Sequence, residues 1–254
     1  MQNFRPFSQA SPAPYAARAS ASVLPFVRRV YALLTAGIGF AIVGAMIALY
    51  AGSPVVEVAG RGATISVPPV VGFEMEHGIV MLLVFVAAFF GASFARRIPG
   101  LNVVALFGYT FVTGLFVAPS VFIAQAMATS GATIDASPVR DAFLLTGAAF
   151  TGLTAYCFVT KKDFSFLGAS LTTGIWVVIG ASLLSMFFHS SALSLAVASV
   201  SVLLFSGYIL YDTSRILRAG EDDDAVGAAL RLFLDVVNLF LSLLRILSAS
   251  RRSS

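Results

Sequence analysis

Asp212 and Asp235 are the residues whose chemistry needs explaining. Residues 207–217 read G-Y-I-L-Y-D-T-S-R-I-L and residues 229–247 read A-L-R-L-F-L-D-V-V-N-L-F-L-S-L-L-R-I-L, so each acid sits in a stretch otherwise apolar enough for a bilayer. A charge there is rare, because desolvating it costs at least a few kcal/mol. Two carboxylates within a few ångströms in such a place cannot both ionise easily, and the pair can hold a shared proton. Shared, the proton bridges the two segments; its loss, or the arrival of a cation, changes the repulsion between them.

The spacing indicates how the two acids are held. If the first helix runs to a C-cap near Gly220, Asp212 lies about eight residues, or roughly 12 Å, inside that end. The next helix starts at an N-cap among residues 222–224, which puts Asp235 about eleven residues, or roughly 16 Å, from the same face. The connection is short, so antiparallel neighbours at similar depth are expected.

Composition sets the class. Of 254 residues, 58% are hydrophobic and 11% charged, against about a quarter charged in soluble domains. This is a membrane protein. The single Cys157 forms no internal disulfide, and no Cys/His cluster has metal-ligand spacing. No resident cofactor and no nucleic-acid partner are expected; the bilayer itself is the first partner.

Uncharged runs long enough to cross about 30 Å of hydrocarbon occur at residues 30–50, 78–95, 101–128, 142–160, 164–188 and 192–211. A seventh, residues 225–247, is apolar except for Arg231, Asp235 and Arg245, and either crosses or dips in as a re-entrant element. The expected fold is an all-α polytopic membrane protein of seven transmembrane segments. Residues 1–25 read as a disordered cytosolic tail, 26–248 as the transmembrane domain and 249–254 as a short C-terminal tail. Arg28 and Arg29, Arg96 and Arg97, Lys161 and Lys162, and Arg215 and Arg218 flank alternate span ends, while the opposite loops hold only Arg61 and Arg140. That asymmetry places the N-terminus in the cytoplasm. The few Lys beside many Arg, with abundant Ala, suggest a bacterial source and hence a multi-pass protein of the inner membrane.

The connection from residue 51 to 77 is extracytoplasmic on this reading, and its Pro and Gly content argues against regular helix. Its Glu74 and Glu76 read either as part of a cation path or as ordinary charges of a solvated loop. His77 and His189 stand alone near span ends and read as structural. The acidic run at residues 221–224 reads as a solvated, helix-capping turn.

Y-I-L-Y-D-T-S-R-I-L at 208–217, followed by the 229–247 stretch, resembles the paired C-terminal signatures of the Bax inhibitor family in its bacterial branch. F-L-L-T-G-A-A-F-T-G-L-T-A-Y and T-K-K-D-F-S-F-L-G, between residues 143 and 168, extend the resemblance over nearly everything after residue 25. It implies six helices around a central, unusually polar seventh. It also implies a pH-sensitive calcium leak, with facing aspartates as sensor and gate at Asp212 and Asp235. A basic latch in the region of Arg96 or Arg97 is implied too. Some members carry a glutamate inside the second span, and residues 78–95 have none. Calcium takes six to eight oxygens, so the two aspartates with Asn238 and Thr213 would make a weak, partly hydrated calcium site suited to passage or sensing.

Other readings compete. Asp235 follows Arg231 by four residues and Asp212 precedes Arg215 by three, so each acid has a same-helix partner for a purely structural ion pair. Arg245 either snorkels to the interface or pairs within the bundle. Intramembrane aspartyl proteases also use two membrane aspartates, and Tyr211-Asp212 matches their Y-D half. The G-x-G-D half is absent, because L-F-L precedes Asp235, and the chain is not expected to be an enzyme. A third class is a non-conducting regulator of membrane-protein quality control that binds a membrane protease.

Overall fold

In lipid every backbone polar group must be satisfied within its own segment, so long apolar runs become helices. The computed structural model describes residues 13–52, 56–60, 63–129, 137–188, 190–219 and 224–250. In chain order these form α1 (Ala13–Tyr50), β1 (Val56–Gly60), β2 (Ala63–Val67), α2 (Pro69–Glu76), α3 (Gly78–Ala95), α4 (Leu101–Thr129) and α5 (Pro138–Thr160). A single 3-10 turn at Ser165–Leu167 leads into α6 (Gly168–Phe188), followed by α7 (Ser191–Ile216) and α8 (Ala225–Ser250). All but α2 are helices long and apolar enough to cross a membrane, seven in number among the described residues.

The helix starts carry local signals. Ser137 Oγ accepts from the Arg140 amide at 3.3 Å to open α5, and Ser190 Oγ accepts from the Leu193 amide at 3.2 Å to open α7. Asp224 Oδ1 accepts from the Gly227 amide at 2.7 Å and caps α8, within the window expected for that start. Each cap satisfies an amide that the helix leaves without a partner.

Three details differ from the reading above, and a fourth selects between two alternatives that it left open. α1 is already helical from Ala13, inside the stretch expected as a disordered tail; alternating Ala residues there favour helix over coil, and residues 1–12 lie outside the described residues. The 51–77 connection contains regular structure: β1 and β2 pair antiparallel with Val56 opposite Val67, and α2 follows. Pro68 and Pro69 begin that helix rather than prevent it, since proline fits the first turn, where its missing N–H costs nothing. α7 stops at Ile216 rather than near Gly220, so Asp212 lies four residues, roughly 6 Å, from the helix end. Finally, α8 crosses: its start packs with Phe26 and Ala92, whereas Leu244 packs with Val121, Ala124 and Ala142 at the other end of the bundle. Arg245 is exposed there, as snorkelling requires.

The centre belongs to α8. α1, α4, α5 and α7 pack against it, while α3 packs on α4 and α6 on α7. Leu232, Phe233 and Leu239 of α8 are almost wholly enclosed, as are Leu106 and Tyr109 of α4 and Ile209 of α7. The outer faces remain apolar, with Val159, Trp176 and Phe187 among the most exposed side chains, as lipid rather than water demands.

α1 and α4 meet backbone to backbone. A methyl at Gly114 would overlap the Ala41 carbonyl, and one at Gly44 the Phe111 carbonyl, the close approach that small residues permit between membrane helices. Gly108, also on α4, has nothing within 4 Å of an added Cβ. Gly114→Ala is therefore expected to destabilise by about 1–3 kcal/mol and Gly108→Ala to be near neutral. Thermal unfolding in detergent reads both, and equal effects would refute the close-crossing account.

Candidate functional site

Asp212 and Asp235 face each other across α7 and α8, within hydrogen-bonding reach of one another. Both are enclosed, at 3% and 5% exposure. Among the described residues, no N–H or O–H donates to Asp235 Oδ2. A hydrogen bond between two carboxyl groups requires a proton on one of them, so two acids placed this way can share a proton between the two helices.

The counter-charge comes from α8 and crosses to α7. Arg231 Nε donates to Asp212 Oδ1 at 3.3 Å, a bond spanning nineteen residues of sequence. The same-helix pairs expected for a structural role do not form: Arg231 leaves Asp235 on its own helix for Asp212 on the neighbour. Arg215 sits over the Tyr211 ring at 5.7 Å and its Nη1 donates to Tyr211 Oη at 3.5 Å, although its charge still reaches Asp212.

The remaining predicted site residues separate into two ends and one wall. Arg96 pairs with Asp224 at 3.7 Å, and Arg97 lines the same cavity of about 850 Å³. The guanidinium at ion-pair distance from the dyad is that of Arg231, while Arg96 is paired with Asp224. Thr213 turns toward the hydroxyls of Tyr31 on α1 and Thr154 on α5, with none of the three in hydrogen-bond geometry. It is not poised to join the aspartates around a cation. Asn238 Nδ2 donates to the Leu234 carbonyl at 2.8 Å within α8. No group of three or more His, Cys, Asp or Glu side chains gathers among the described residues, so calcium would find two carboxylates, one of them engaged by Arg231. Such a set suits brief contact rather than tight retention.

Sequence reasoning found both acids but missed the direction of Arg231, since spacing along one helix gives no information about the neighbouring one. It also missed Arg218, whose Nη2 donates to Asp163 Oδ1 at 2.6 Å and which joins the end of α7 to the turn before α6. That turn holds the Asp163 carboxyl below the usual range, chiefly through the Ser165 amide.

Glu74 and Glu76 lie on α2, at the opposite end of the bundle. Glu76 is exposed, but Glu74 is 6% exposed and its Oε2 has no partner. Burial pushes its carboxyl up to about 7. α1, α3 and α4 pack on α2, and no charged group of theirs acts on Glu74. His77 is engaged elsewhere, stacked on Phe73 at 4.4 Å with Nδ1 3.1 Å from the Phe73 carbonyl oxygen. His189 lies outside the described residues.

Seven crossing helices with a carboxylate pair between the last two define a polytopic membrane protein with a buried ionisable site. Residues 23–252 match the family model described as inhibitor of apoptosis-promoting Bax1, and the chain belongs to the Bax inhibitor family. It is 35% identical over 225 residues to an uncharacterized protein of Campylobacter jejuni, covering 87% of each chain. It is 37% identical over 173 residues to protein lifeguard 4 of Mus musculus, covering 66% of this chain and 68% of the relative. A Golgi anti-apoptotic protein of vaccinia virus is 34% identical over 163 residues, covering 64% of this chain and 65% of that protein.

Glu74 gives a pH-dependence with a definite sign. Its carboxyl is raised from 4.5 to about 7 in the folded protein, so between those values the folded state binds the extra proton. Stability then falls as pH rises through that window. Melting temperature is expected to decline from pH 4.5 to about 7 more steeply in the native protein than in Glu74→Gln. Parallel curves would remove Glu74 from the account.

Proposed function

We propose that the protein is a pH-regulated cation leak, with calcium as the expected transported ion and Asp212 and Asp235 as sensor and gate. One observation carries the reading: two enclosed carboxyl groups facing each other between α7 and α8, with Arg231 ion-paired to Asp212. With one proton shared, the group of two acids and one guanidinium is neutral and joins the helices. Losing that proton leaves a net negative charge in a poorly solvated site, which repels the helices and attracts a cation. The protein works in the bacterial inner membrane with its N-terminus in the cytoplasm. It has no enzymatic role and no resident cofactor.

A second reading has its own support. Beyond the dyad, the hydroxyls of Thr110, Thr113, Thr146, Ser201 and Ser242 all donate back to carbonyls of their own helices, offering a cation no ready path. A non-conducting regulator that binds a membrane protease needs none. The anti-apoptotic name of the viral relative also fits a regulator.

Calcium flux into liposomes, from about pH 6 to about pH 8, separates the two. The native protein is expected to pass calcium in a pH-dependent way and Asp212→Asn/Asp235→Asn to lose that dependence. Arg231→Gln, which strips the pair of its counter-charge, is expected to raise the leak at neutral pH. Absent flux at every pH in the native protein would favour the regulator.

A further inference from the structure

Six arginines line one cavity at the end of the bundle nearest the dyad. They are Arg29 of α1, Arg96 and Arg97 after α3, Arg215 of α7, Arg218 just beyond it and Arg231 of α8. Asp224 is the one carboxylate among the residues lining it. Asp224 engages Arg96, Asp163 engages Arg218 and Asp212 engages Arg231. Arg29, Arg97 and Arg215 have no carboxylate within ion-pair distance among the described residues.

A cleft lined by one sign of charge concentrates ions of the other. This one does not suit the open mouth of a cation path, but it suits an anion. We propose that the cavity binds a soluble or lipid-borne anion carrying two or more phosphate groups. Guanidinium forks match phosphate oxygens two at a time. The volume, about 850 Å³, exceeds what one inorganic phosphate fills and lies in the range of small-molecule sites, roughly 300–1,000 Å³. Neutral polar groups from Asn102, Ser165 and Tyr211 also line the cavity.

The site is coupled to the carboxylates below it. A phosphate drawing on Arg231 competes with Asp212, and one drawing on Arg96 competes with Asp224. Binding and these ion pairs therefore oppose each other, and the coupling is reciprocal. None of this requires the protein to conduct ions.

The test uses the full chain purified in detergent, pyrophosphate as the probe, and sodium chloride at matched ionic strength as the control. Pyrophosphate is expected to raise the melting temperature in a saturable way. Arg97→Gln/Arg215→Gln, which breaks no ion pair among the described residues, is expected to weaken binding by about tenfold or more. Asp224→Asn keeps a capping side chain at α8 while freeing Arg96, and is expected to tighten it. Native mass spectrometry separates the sources: a phosphorylated lipid that co-purifies and is displaced by pyrophosphate marks a headgroup site, and pyrophosphate bound without lipid loss marks a soluble ligand. A shift reproduced by chloride alone, or one unchanged in both variants, would overturn the proposal.

Discussion

Two enclosed acids face each other with one ion-paired arginine, Arg231 on Asp212, and the arrangement of α7 and α8 must accommodate that imbalance. Neither acid can stand ionised and unpaired in the bundle without a cost of several kcal/mol. Arg231 supplies one charge, and a proton must supply the other for the site to be neutral. Meeting both conditions requires α7 and α8 to lie antiparallel, side by side, with Asp212 and Asp235 at matching heights. A slip of one residue in either helix would turn a carboxyl group by about 100° and separate the pair.

The remainder of the molecule supports that register. α8 is enclosed by α1, α4, α5 and α7, so its polar positions meet protein while the outer helices meet lipid. The α1–α4 contact is backbone to backbone at Gly44 and Gly114, which makes that side of the cage stiff. The hydroxyls of Thr113, Thr146 and Ser201 close on their own helices, so they do not compete for the acids or Arg231.

Much of this could be read from residues alone. Seven apolar runs, the capping acid before α8 and the two intramembrane aspartates all stand out, because a charge in an apolar run and a cap before one are local signals. Arg231 was visible too, but its partner was not: periodicity relates residues on one helix, and the bond to Asp212 depends on how two helices face each other. The helical turn at α2 was hidden by Pro68 and Pro69, which read as breakers until their position at the helix start is known. The six-arginine cavity was legible only as flanking charge, since residues 29, 96, 218 and 231 become neighbours through tertiary packing.

The central helix is made after α7, which carries its partner acid. Arg231 follows Asp212 by nineteen residues, roughly one to four seconds of synthesis at about 5–20 residues per second. Through that interval Asp212 lacks its ion-pair partner, and only the more distant charge of Arg215 on its own helix acts on it. Its place four residues from the end of α7 keeps it roughly 6 Å from the helix terminus, close enough to the interface to wait there hydrated. α8 thus brings the core contacts and the Arg231 charge together in one event, after α7 and Asp212 are already made.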